Sequence, residues 1–97
     1  MIDGASTPFD KGSGAQDKKA AAIHRGQRAQ AFLDEPLVQE VFSELEADLV
    51  ERWKSASSAD TREECWRMLD CVAKFKAKFY GIAASGRLTQ QLENRNV

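Results

Sequence analysis

Between Leu37 and Trp53 the chain reads LVQEVFSELEADLVERW, and Val38, Phe42, Leu45, Leu49 and Trp53 recur at steps of four, three, four and four. At about 3.6 residues per turn this spacing lines one face of an α-helix. Glu40, Glu44, Glu46, Asp48 and Glu51 fall largely on the other faces. The alternation that a strand needs is confined to Glu44–Leu49, inside the longer helical period. An amphipathic helix of this kind needs a surface to bury its stripe, so the flanking chain is read as its partner.

Upstream, Asp34-Glu35-Pro36 punctuates the chain. Pro36 disfavours helical dihedrals at Glu35 and suits the first turn of the next helix, with Asp34 or Glu35 as its cap. The acids also sit well at that helix's positive end. Before the break, KKAAAIHRGQRAQAFL predicts a shorter helix over about 18–33, with Asp17 as candidate N-cap. Gly26 inside it costs about 1 kcal/mol relative to Ala and allows either a close backbone approach or a hinge. Lys18, Lys19, His24, Arg25 and Arg28 make this helix basic, a surface for phosphate or an acidic partner, or simply a solvated face.

Downstream, Asp60-Thr61-Arg62-Glu63 has the pattern of a capping box. Cys65, Leu69, Val72, Phe75, Phe79 and Ile82 then follow at steps of four, three, three, four and three. Trp66, Met68, Ala73, Tyr80 and Ala83 widen that stripe, and Gly86 is expected to stop the helix, with a further short helix beyond Arg87. The linker between the second and third helices is short, which predicts an all-α fold built on an antiparallel hairpin of about 36–54 and 61–85. That packing is expected to bring Glu40 and Glu44 near Lys74, Lys76 and Lys78.

Residues 1–17, rich in Gly, Ser, Ala and Asp, are expected to form a flexible arm ahead of one helical domain over 18–97. Phe9 beside Pro8 is the arm's candidate anchor. A chain of 97 residues buries a thin core, and the third helix's stripe is wider than one partner helix covers. The excess is expected to meet the first helix, another subunit, or both, which points to protein partners and a homo-oligomer or larger assembly.

The chemistry is sparse. His24 is the single histidine, with no acidic neighbour to orient it as a base. Cys65 and Cys71 lie six apart, too far for a bridge within one helix, and are read as reduced thiols. With His24 they do not make a zinc site. Gly12-Ser13-Gly14 lacks the strand, spacing and GK[ST] ending of a phosphate loop. No catalytic, cofactor-binding or metal-binding residues are assigned, and an enzyme is not expected. A net charge of -1 and an acidic second helix disfavour a nucleic-acid partner. No apolar run reaches membrane-span length and no signal-peptide pattern opens the chain, so the expectation is a soluble, intracellular protein.

The run RGQRAQAFLDEPLVQEVFSELEADLVERW, followed by DTREECW and a later helix ending in SGRL, resembles small helical proteins encoded in tailed-bacteriophage genomes. Arg25-Gly26, Ala29, Leu33, the Asp34–Pro36 break, Trp53, Asp60, Arg62-Glu63, Trp66 and Gly86 carry the resemblance. It spans residues 24–92 and leaves the N-terminal arm unmatched. These motifs are helix punctuation and core positions, and the family, mostly uncharacterised, supplies no catalytic residues. What the resemblance implies is a phage origin, a place in the host cytoplasm or the virion, and a virion-assembly or morphogenesis role in the head or head-tail region. The alternative is an anti-defence protein that binds a host factor or a nucleotide signal, with Arg25, Arg28, Lys74, Lys76 and Lys78 as phosphate contacts. For docking, Trp66 and Tyr80 lie fourteen residues apart with Ala73 halfway, all on one side of the third helix. That side is either an interface or is covered by Ile23, Phe32 and Leu33 of the first helix.

Overall fold

The computed structural model describes residues 3–95, with side chains from residue 14 onward. The chain forms three helices, α1 (Asp3–Asp34), α2 (Pro36–Ser55) and α3 (Ala59–Arg95), and the described residues contain no strand. The all-α class and the antiparallel hairpin expected from the sequence are present. The flanking helices are longer than their apolar stripes suggest, since α1 begins ahead of Lys18 and α3 continues past Gly86. The arm's residues 1–13, Phe9 among them, lie outside the described side chains.

The break between α1 and α2 is a single residue. Glu35 is extended, with φ -65° and ψ 123°, as the ring of Pro36 requires. Its carboxylate accepts a hydrogen bond from the Leu37 N–H at 2.7 Å, capping α2. The Gln39 amide donates to the Leu33 carbonyl at 3.1 Å, satisfying an acceptor that the end of α1 leaves open.

At the other turn the cap is Ser58, one of the residues read as linker. Its Oγ accepts from the Thr61 N–H at 3.1 Å, and its carbonyl accepts from the Arg62 N–H at 3.2 Å. The capping box expected at Asp60 is therefore corrected. The helix starts two residues earlier, at Ala59, which leaves Asp60 inside the first turn, where its charge suits the helix dipole.

α3 is the spine of the fold. α2 runs antiparallel along its first half, with Glu46 against Lys76 and Trp53 beside Trp66. α1 runs antiparallel along its second half, with Phe32 on Phe79 at 4.5 Å between ring centroids, Gly26 on Gly86 and Lys19 paired with Glu93 at 3.1 Å. The α1–α3 contact is the most extensive, and α1 meets α2 only narrowly. The two shorter helices thus make one broken side of a long hairpin. The radius of gyration, 20.6 Å, exceeds the value of about 13 Å for a compact chain of this length. The extents, 66 × 30 × 21 Å, are those of a rod two helices thick.

A regular seam holds the rod. Cys65, Leu69, Val72, Lys76, Phe79, Ala83 and Gly86 follow at alternating steps of four and three along α3, the seven-residue repeat of helices that wrap one another. Opposite the C-terminal half, Ala22, Gly26, Ala29 and Leu33 repeat at four, three and four. The buried apolar residues among those described are Ala29, Leu33, Leu49, Cys65 and Ala83, together with Gly26 and Gly86.

Gly86 is therefore not the expected stop. A Cβ built on Gly26 would lie 2.8 Å from the Gly86 Cα, and one on Gly86 would lie 2.8 Å from the Gly26 Cα. The two glycines let the backbones of α1 and α3 touch where any side chain would separate them. That packing offsets the cost of about 1 kcal/mol that each glycine imposes on its helix.

The seam also revises the expected register and core. Lys76, not a surface lysine, sits at a seam position, with its Nζ 3.2 Å from Glu46 Oε2 and 5.4 Å from the centre of the Phe42 ring. Glu46, rather than Glu40 or Glu44, supplies the carboxylate. Phe75, Trp53, Leu45 and Trp66, on the apolar stripes that the hairpin was expected to bury, are instead exposed, Phe75 at 53% and Trp53 at 45%. A rod two helices thick buries one narrow stripe per helix, so residues a step off the seam stay open to solvent.

Candidate interaction surface

Eleven large apolar side chains among the described residues are more than a third exposed, against five apolar residues that are buried. A folded monomer normally exposes such residues singly. Here their helical spacing gathers many of them on two opposite faces of the rod.

The first face spans all three helices. Leu37 and Val41, 62% and 50% exposed, are one turn apart on α2 and line a wholly apolar groove with Phe32, Val38, Phe42 and Phe75. Phe32 also lines the adjoining groove, with Arg25, Arg28, Phe79 and Ile82. The two grooves therefore form one continuous face, apolar beside α2 and edged by guanidinium groups beside α1. Leu45 on α2 and Met68 on α3, both exposed, extend it at helical spacing from Val41 and Phe75.

The second face carries Trp66 and Tyr80. Counted from Phe75 they lie about 180° and 140° around α3, on the far side of the rod. They are 60% and 54% exposed. Trp66 shares a shallow groove with Trp53, Arg62 and Glu63. Of the α1 residues expected to cover this side, Ile23 is half-buried and the other two pack elsewhere. Phe32 stacks on Phe79, and Leu33 is buried in the seam.

The candidate basic residues divide. Arg25 and Lys78 come together along one open groove that also holds Ser85, with Arg28 a turn further along α1. Lys74 points elsewhere and pairs with Asp70 at 2.9 Å within α3. The hydrogen bond to Asp70, followed by its charge, raises the Lys74 pKa above its ordinary 10.5. This pair's contribution is therefore complete below the unfolded lysine value and is lost as pH rises through the raised folded value. Lys76 is occupied by Glu46.

Both cysteines are free thiols, Cys65 buried and Cys71 exposed. The described residues hold no group of three metal-ligating side chains and no helix long and apolar enough to cross a membrane.

The first face escapes a reading of the sequence that follows the strongest stripe. Leu37, Val41 and Leu45 form a second, weaker stripe at steps of four, which is the signal that marks it. No protein-family model matches the chain, and no curated protein or solved structure is similar enough to count as a match.

Proposed function

We propose that this chain is a non-enzymatic interaction and assembly protein, which works by placing its exposed apolar faces against other protein surfaces. The observation that carries this reading is the imbalance between a minimal buried seam and a continuous open face through Leu37, Val41 and Phe75. Surface of that kind costs free energy in water and is relieved by association. A rod 66 Å long also suits a component that spans or staples neighbouring subunits. The resemblance over residues 24–92 supplies the setting, a bacteriophage particle or its assembly intermediate.

Mass spectrometry of purified particles, paired with sedimentation of the protein mixed with particle components, tests the reading. The expected result is a stoichiometric component that binds a particle protein and loses that binding when Val41 becomes Asp. Absence from particles and from assembly intermediates, with no binding to any particle protein, overturns it.

A second reading, a phage anti-defence protein that captures a nucleotide signal, is favoured by one observation: Arg25 and Lys78 share an open groove with Ser85. A thermal-shift screen with cyclic nucleotides decides it, and no shift at ligand excess removes it.

A further inference from the structure

The first apolar face carries both signs of charge, arranged about its own centre. Leu37, the most exposed of its apolar residues, stands at the elbow between α1 and α2. Arg28 lies six residues, about 9 Å at the helical rise, before the end of α1, and edges the same face beside Phe32. Glu44 and Asp48 lie seven and eleven residues after Leu37, about 10 and 16 Å along α2. Both intervals are close to whole numbers of turns, so these two carboxylates stand on the Leu37 side of α2. A base on the α1 flank and acids on the α2 flank thus stand on either side of an apolar middle.

We propose that this face binds a second copy of the same chain, in an isologous dimer whose two-fold axis passes near Leu37 and Val41. A two-fold operation there returns the apolar middle to itself and places Arg28 of one protomer against Glu44 and Asp48 of its partner, twice over. A different partner would need only complementary charge, and nothing would require one face to carry both signs. In a self-pair that arrangement sets each flank against opposite charge. Arg52 lies one turn beyond Asp48, at the rim of the span.

The exposed apolar area is of the right order, with the flanking charged side chains adding to it. A specific interface buries at least about 1,000 Å² in total. Leu37, Val41, Leu45, Met68 and Phe75, each between 39% and 62% exposed, offer several hundred Å² on each protomer. The dimer rests on the assembly reading above, because it names one partner for the face invoked there.

Sedimentation equilibrium of the full chain over a wide concentration range tests it, with circular dichroism as the check on folding. The expected result is a reversible dimer that Val41→Asp and Leu37→Asp each weaken by about tenfold or more at unchanged helicity. Arg28→Glu and Asp48→Lys should each weaken the dimer, and the doubly substituted chain should recover most of the loss. A monomer at every concentration overturns the inference. So does a dimer indifferent to Val41→Asp, or one in which the double charge swap is no better than the single changes. A monomer that still binds a particle protein through Val41 overturns self-pairing alone and leaves the assembly reading standing.

Discussion

Gly26 and Gly86 show how a residue without a side chain can decide the packing of two helices. At Gly26→Ala the new methyl meets the Gly86 Cα and the Ile82 carbonyl, 2.8 and 3.1 Å away, and backbone has to move. Overpacking of this sort costs about 1–3 kcal/mol, against a helix-propensity gain of about 1 kcal/mol. The net expectation is a loss of up to about 2 kcal/mol. Gly81 has nothing within 4 Å of its added Cβ, so Gly81→Ala should keep the propensity gain and raise stability. Thermal denaturation of the two variants should therefore shift in opposite directions, and equal upward shifts would show that the crossing is not tight. Side-chain exposure separates residues in the same way. Leu49, 2% exposed, should cost about 2–5 kcal/mol when cut to Ala. Tyr80, 54% exposed, should cost about 1 kcal/mol or less, as measured by chemical denaturation.

Among the elements, the helix ends carry the sharpest test. Ser58 rather than Asp60 holds the orphan N–H of Thr61, so Ser58→Ala should remove about 1 kcal/mol of stability. Asp60→Ala loses only a favourable charge in the first turn, and a smaller change is expected. Urea titrations of both variants check the order, and a larger loss at Asp60 would restore the capping box. The α1–α2 junction follows the same logic. The Glu35 carboxylate caps α2 through Leu37, and Glu35→Ala should cost about 1 kcal/mol while Pro36 keeps the chain broken at that point. Both caps were partly legible in the sequence, because Asp, Glu, Ser and Pro cluster there. Which of them caps depended on where the helix begins, and that is set by how α3 seats in the hairpin.

At the scale of the molecule, a rod two helices thick leaves much of its apolar surface to be covered by something else. If a second copy covers it, unfolding is linked to dissociation, and the melting temperature should rise with protein concentration. Calorimetry at a series of concentrations reads this directly. A melting temperature that does not move would show that the monomer is the unit that unfolds. Val41→Asp should abolish the concentration dependence and leave the monomer's own transition in place, because Val41 is half exposed and contributes little to the seam.

The sequence alone determined three things here: the helical class, the break at Pro36, and the antiparallel return after Ser55. Each is local. Apolar period, a proline's restriction of the residue before it, and a linker too short for another geometry all act within a few residues. Gly26 as a place of close approach was legible too, since a helix bears a mid-helix glycine at a cost. Its partner was not. A glycine ahead of a polar segment has the local signature of a helix end, and Gly86 became a packing contact only because α1 lies against it. The placement of Phe75 and Trp53 in the open was also tertiary, because period marks a broad apolar side while the partner's width decides how much of it is buried. The face through Leu37, Val41 and Phe75 exists only once α2 and α3 are set side by side, and so no reading of a single helix could have assembled it.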